Sequence, residues 1–214
     1  MPFAIKSLTL GAFATNAYLV ADTATQNALL IDPVDSPETI LAAAAEAGWR
    51  IQMMVATHAH LDHVLAAGAL KRRLRIPFLA HKETPPLLQD VPAQGLYFGL
   101  GELTAPPAPD QLLDDEDMIR LDSLAFKCLY TPGHAPGHIS LLMEKAGTLF
   151  SGDTLFAGSI GRTDLPGGDH ALLMRSIMDR LMPLDDNVRV LPGHMGETTI
   201  GRERRTNPFL LAQR

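Results

Sequence analysis

The sequence holds a single cysteine, Cys128. An intrachain disulfide is therefore excluded, and the fold has to rest on buried apolar surface. Long apolar runs are missing too. The nearest approach, residues 40–47, is eight residues long and contains Glu46, far short of the roughly 18–20 needed to span a bilayer. The opening Met-Pro-Phe-Ala-Ile-Lys has no basic segment followed by an apolar one, so a secretory leader is not expected and a cytoplasmic location is. Basic charge is scarce: 18 Lys and Arg stand against 24 Asp and Glu, for a net charge of −6. Such a chain lacks the cationic footprint that a nucleic-acid backbone demands. The balance points to a small-molecule partner, with neither nucleic acid nor membrane. Tandem repeats, low-complexity tracts and a clear domain boundary are also absent.

What remains suits one domain over residues 1–214. The chain is 46% apolar with a mean hydropathy of +0.07, enough to build a substantial core. Strands are expected at 3–10, 15–21, 27–32, 51–55, 76–80, 118–121, 124–130, 139–143, 147–151 and 188–191. Asp35-Ser36-Pro37-Glu38 reads as a helix start, with Asp35 as cap and Glu38 closing a capping box, and Gly48 as its stop. Further helices are expected from Asp62 to about Arg73, over 169–182 and over 199–206. The Pro- and Gly-rich segment 89–111 reads as a long loop. Ten to twelve strands in two β-rich halves with four or five helices between favour an α/β arrangement of two packed sheets covered by helices.

Three of the eight histidines, His58, His60 and His63, fall within six residues, with Asp62 among them. His134 and His194 each follow a Pro-Gly pair, and Asp153 follows Ser-Gly after an apolar run. Each of these positions lies where a strand runs out into a loop, and such loops can converge on one sheet edge. Imidazole and carboxylate suit zinc, iron and manganese. Side chains at i and i+2 of an extended segment point the same way, so His58 and His60 can grip one ion. Asp62 and His63, at the turn into a helix, can face a second. Seven donors exceed one tetrahedral ion and suit two, about 3.5–4 Å apart. Isolated histidines are more often surface or core residues, and His81, His138 and His170 are read that way. His138, four residues after His134, could instead orient a ligand. Cys128 reads as a buried, inert thiol.

Thr-His-Ala-His-Leu-Asp-His (57–63) resembles the HxHxDH motif of the metallo-β-lactamase superfamily. Thr-Pro-Gly-His-Ala-Pro-Gly-His (131–138), Ser-Gly-Asp-Thr-Leu-Phe (151–156) and Leu-Pro-Gly-His (191–194) match its later motifs in order. The resemblance covers nearly the whole chain and implies the αββα four-layer sandwich, with metals at one sheet edge. Within the superfamily the chain is most similar to small glyoxalase II-like hydrolases, through residues 158–169 and 203–209. It implies that His58, His60 and His134 hold one metal, that Asp62, His63 and His194 hold the other, and that Asp153 bridges them. The expected cofactors are two divalent ions, zinc first, with iron and manganese as alternatives. The further helical domain that brings basic residues to glutathione in full-length glyoxalase II has no counterpart before Arg214.

The implied activity is hydrolysis of S-2-hydroxyacylglutathione thioesters, such as S-lactoylglutathione, by a metal-activated water. Asp62 is expected to accept a hydrogen bond from the nucleophile as well as to ligate. Arg162 is the candidate contact for a glutathione carboxylate, against the plainer reading that it pairs with Asp164 or Asp169. Rival readings are a persulfide dioxygenase with one iron, a β-lactamase, a nuclease, a hydrolase of another small ester or lactone, and a non-catalytic scaffold. Seven intact donors weigh against the scaffold.

Overall fold

The first half of the chain forms one six-stranded sheet in which sequence order and spatial order coincide. In the computed structural model, which describes residues 2–212, it comprises β1 (Phe3–Leu10), β2 (Thr15–Asp22), β3 (Asn27–Ile31), β4 (Arg50–Val55), β5 (Phe78–His81) and β6 (Gln111–Leu113). The helices α1 (Pro37–Glu46), α2 (Leu61–Val64), α3 (Ala67–Leu74), α4 (Pro85–Gln89) and α5 (Val91–Tyr97) lie in its connections. The second sheet has the order β14-β13-β10-β9-β8-β7. Its strands are β7 (Met118–Leu121), β8 (Leu124–Tyr130), β9 (Ile139–Met143), β10 (Thr148–Gly152), β13 (Arg189–Pro192) and β14 (Thr198–Thr199). A ribbon of β11 (Leu155–Phe156) and β12 (Ser159–Ile160), and the helices α6 (His170–Ser176), α7 (Ile200–Thr206) and α8 (Pro208–Leu211), complete the second half. The expected domain limits, residues 1 and 214, lie outside the described residues.

Strand alternation decides the layering. In β3, Leu29 and Ile31 point into the apolar layer between the sheets, where they meet Phe126, Leu141 and Phe150, while Leu30 points the other way, toward Ile40 and Leu70 of the helices. On the far side, Leu142 and Leu149 of the second sheet pack against Leu173, Ile177 and Ile200. Successive side chains of a strand face opposite ways, so two sheets buried on both faces need three apolar layers and an outer helix layer on each side. This is the expected αββα sandwich. Cys128 sits in the layer between the sheets, and burial pushes its thiol up to about 12, which leaves it inert.

Several local expectations are corrected. Asp35 does not cap α1: the N-cap is Ser36, in a left-handed conformation and without a side-chain cap bond. Glu38 closes no capping box; its carboxylate meets the Arg73 guanidinium at 2.6 Å. The single helix expected from Asp62 is broken into α2 and α3, because the Ala66 amide turns to the carbonyls of Pro33 and Val34. The segment 89–111 is no structureless loop. It carries α5, whose Pro92 sits in the first turn, where a missing N–H costs nothing. The helix begun at Asp169, whose carboxylate accepts from the Leu172 amide, finishes as a π-helical turn over Ile177–Leu181. Among the described residues the strands number fourteen rather than ten to twelve, because two- and three-residue strands leave no alternation to read.

Candidate metal centre

Each of the seven candidate donors lies just beyond the end of a strand. His58 and His60 follow β4, with Asp62 and His63 on the first turn of α2; His134 follows β8, Asp153 follows β10 and His194 follows β13. The structure brings all seven together. Donor atoms of His58, His60 and His134 lie within 4.8 Å of one another, as do those of Asp62, His63 and His194, and those of His58, His63 and Asp153. Asp153 touches both trios: its carboxylate is 3.5 Å from His134 Nε2 and 3.3 Å from His194 Nε2.

Hydrogen bonds on the outer side of the His58, His63 and His134 rings decide which of their nitrogens faces inward, while His60 Nδ1 faces His134 Nε2 at 2.8 Å. His134 Nδ1–H donates to the Arg162 carbonyl at 2.8 Å, leaving Nε2 with a lone pair. His63 Nδ1–H donates to Asp32 at 2.9 Å. The Thr57 hydroxyl donates to the same Asp32 carboxylate at 2.9 Å and accepts from His58 Nδ1–H at 3.1 Å. Asp32 is thus a carboxylate behind two rings, held in turn by the Thr57 amide at 2.7 Å. On the other side, the Asp153 amide donates to His138 Nε2 at 2.9 Å, and His138 Nδ1 faces the Thr131 hydroxyl at 3.0 Å. Asp62 is steadied by the Thr15 hydroxyl at 2.6 Å. Such outer partners fix tautomer and orientation in metal sites.

Burial and charge divide the cluster. Burial, seconded by neighbouring histidines, holds His60 down at about 3 and His58 well below the usual imidazole range, so both are neutral at pH 7. Burial also lowers His134. In the other trio burial acts the same way on the imidazoles, but carboxylates outweigh it. Asp62, Asp153 and Asp32 raise His63 well above its ordinary value, and Asp153 and Asp62 lift His194 to about 10. Burial works against the charge of Asp62, yet His63 and His194 bring its carboxyl down to about 2.

The arrangement passes a direct test for cations. Among the described residues, the buried side-chain polar atoms without a hydrogen-bond partner are His58 Nε2, His63 Nε2 and Asp153 Oδ1. All three belong to this cluster and form one of its compact donor sets. Leaving such groups unpaired costs about 1–3 kcal/mol each, and divalent ions of the zinc, iron or manganese kind would satisfy them. Gly193 makes the approach possible: a Cβ there would lie 2.1 Å from Asp153 Oδ1 and 2.7 Å from His63 Cε1.

The cluster opens on a cavity of about 650 Å³ lined by His60, Asp62, His134, Asp153 and His194, with Phe156 and Arg162 on its wall. The Arg162 guanidinium is exposed and bonded to Asp164 at 2.6 and 2.7 Å; its carbonyl, not its charge, touches a candidate ligand. His138 proves to hold the Asp153 backbone. His81 is buried and stacked on Tyr130 at 4.5 Å, and His170 is exposed at the start of α6. Asp32, Thr15 and Thr57 were not singled out by sequence. The available signal for Asp32 was an acid closing the run Leu-Leu-Ile-Asp-Pro at the end of β3.

The family model described as the metallo-beta-lactamase superfamily matches residues 10–194. Hydroxyacylglutathione hydrolase GloC of Haemophilus influenzae is 38% identical over 208 residues, spanning 96% of this chain and 97% of that protein. Among solved structures, the BLEG-1 B3 metallo-beta-lactamase superposes with a TM-score of 0.91 at 36% identity, over 97% of this chain and 99% of that one. TTHA1623 in a di-iron-bound form gives 0.87 at 40% identity, over 96% and 100%. ETHE1 from Myxococcus xanthus gives 0.80 at 29% identity, over 98% and 85%.

Proposed function

The chain belongs to the metallo-β-lactamase superfamily, and on that premise we propose that it is a two-metal thioester hydrolase acting on S-2-hydroxyacylglutathione substrates. The observation that carries the two-metal part is the pair of donor trios around Asp153, each with inward-facing atoms. The likeness to GloC carries the substrate. His58, His60 and His134 would hold one ion, Asp62, His63 and His194 the other, and Asp153 both. When bound, the ions supply a water of lowered pKa and a Lewis acid for the carbonyl. TTHA1623, recorded with two irons, supports iron beside zinc as the metal.

The protein's own groups set the geometry. Asp32 and the Arg162 carbonyl hold three imidazoles with Nε2 turned inward. Asp62, anchored by Thr15, is the carboxylate proposed to take a hydrogen bond from the attacking water. Arg162 is the proposed contact for a glutathione carboxylate. Its partner Asp164 is exposed, and exposed ion pairs contribute only about 0–1 kcal/mol, so a substrate carboxylate can compete for it. Metal content by elemental analysis, measured beside S-lactoylglutathione hydrolysis, tests the proposal. About two ions per chain with turnover is expected. Two ions without thioester turnover sinks the substrate, and one ion sinks the dinuclear centre. A β-lactam substrate is the second reading, favoured by the likeness to BLEG-1, and nitrocefin turnover in place of thioester turnover would select it.

A further inference from the structure

A second cavity of about 390 Å³ opens beside His60 and adjoins the first, with His60, Gln94, Phe98 and Leu165 lining both. Its walls are Leu87, Ala93, Tyr97 and Phe98 from the α4–α5 segment and Leu165 and Pro166 from the loop after β12. Its polar lining residues besides His60 are Gln94, Asp90 and Asp164, with Tyr97 adding a hydroxyl. Gln94 is already engaged: Oε1 accepts from the Leu61 amide at 2.9 Å, and Nε2 donates to the carbonyls of Leu87 and Ala59 at 3.3 and 3.4 Å. These bonds latch α5 onto the segment carrying His60 and Asp62. Phe98 is braced edge-on by Phe13 at 5.3 Å.

Resting on the thioesterase reading, we propose that this side pocket takes the apolar substituent of the substrate's acyl group, making the enzyme selective for 2-hydroxyacyl thioesters larger than lactoyl. Charge gives the orientation. Glutathione carries two carboxylates; the side pocket offers the carboxylate of Asp90 and that of Asp164, the latter already paired with Arg162, and no lysine or arginine lines it. The guanidinium at this edge, Arg162, lines the larger cavity. The thiol part therefore lies along the larger cavity, and the acyl chain turns past His60 into the apolar one. A thioester carbonyl at the metal cluster sits between the two, as a bond cleaved there requires.

The test is a homologous series of S-2-hydroxyacylglutathiones from propanoyl (lactoyl) to hexanoyl, hydrolysed by the metal-loaded enzyme. A methylene taken from water into an apolar pocket is worth about fourfold in transition-state binding, so kcat/KM is expected to rise about fourfold per carbon, about 15-fold from lactoyl to 2-hydroxypentanoyl. Ala93 is exposed on α5, so Ala93→Trp fills the pocket mouth without burdening the core. It should flatten the series, while the far-ultraviolet circular dichroism stays as in the parent. A flat series in the parent, with lactoyl turned over, refutes the pocket assignment alone. A slope that survives Ala93→Trp refutes its location. No turnover of any member refutes the thioesterase reading and the assignment with it.

Discussion

Asp32→Asn tests whether the outer carboxylate builds the metal centre. In the parent, Asp32 accepts three hydrogen bonds: the Thr57 amide, the Thr57 hydroxyl and His63 Nδ1–H. An asparagine keeps one carbonyl oxygen, which the amide at 2.7 Å will hold. Its NH2 then faces two donors. The His63 ring can relieve the conflict by moving its proton to Nε2, the atom that must carry the lone pair toward the metal. His58 loses its anchor by the same route, since the Thr57 hydroxyl can no longer donate backward. Loss of an outer partner of a metal-bound histidine typically costs 10–100-fold in metal affinity, and two rings are affected here, so the upper end, about 100-fold, is expected. The assay is competition with a chromophoric chelator at fixed pH, alongside metal-free thermal unfolding. Affinity within about twofold of the parent would refute the assignment of Asp32 to this role, whatever happened to stability.

Three further outcomes follow from the geometry. In the metal-free protein, burial acting against charge on His194 and His63 is outweighed by their carboxylate neighbours, so both are protonated at pH 7. Ligation needs neutral imidazole, so metal loading should release protons and tighten as pH rises through neutrality. Calorimetry in buffers of different ionisation enthalpy reads this, and zero release would contradict it. Gly193→Ala should abolish loading of Asp153 and His63 together, because the new methyl overlaps both; retention of about two ions per chain by elemental analysis would count against it. The Ser123 hydroxyl and amide and the Ala24 amide hold the Asp22 carboxyl down at about 2, below its ordinary 3.8. A lowered folded-state pKa means stability that is present above about pH 4 and lost as pH falls toward about 2. Asp22→Asn should therefore destabilise at pH 7 and become neutral near pH 2, and an equal loss in denaturant midpoint at both pH values would refute this.

The sequence reveals most where the chemistry restricts residue types. Metal ligation admits few side chains, so His58, His60, Asp62 and His63 stand out at once, and the later Pro-Gly-His and Ser-Gly-Asp steps announce themselves at strand ends. Two packed sheets were legible through short apolar strands such as β3 and β8 in two β-rich halves, and the αββα sandwich through the family motifs. Gln94 and α5 were not, because Pro92 and Gly95 read as breakers, although a proline in the first turn preorganises a helix. Asp32 stayed hidden because one acid at a strand end has many ordinary explanations; its role depends on Thr57 and His63, 25 and 31 positions away.

What no local pattern could show is that the centre is assembled from both sheets. Asp32 and Thr57, at the ends of β3 and β4, set the rings of His58 and His63. His138 and the Arg162 carbonyl, from the second half, set Asp153 and His134. The two halves are joined beside the site by β2. Asn16 Nδ2–H donates to the carbonyls of Pro192 and Met195 at 3.0 and 2.9 Å, and the Tyr18 hydroxyl donates to that of Pro192 at 2.7 Å. These bonds grip both flanks of His194 from residues some 176 positions away. Donors contributed by separate sheets reach bonding distance only when the sheets are packed, so an ion that binds the folded chain and not the unfolded one also clamps the sheets together. The inter-sheet apolar layer and the metal cluster therefore reinforce each other, and the substrate cavities open at the edge where that clamp lies.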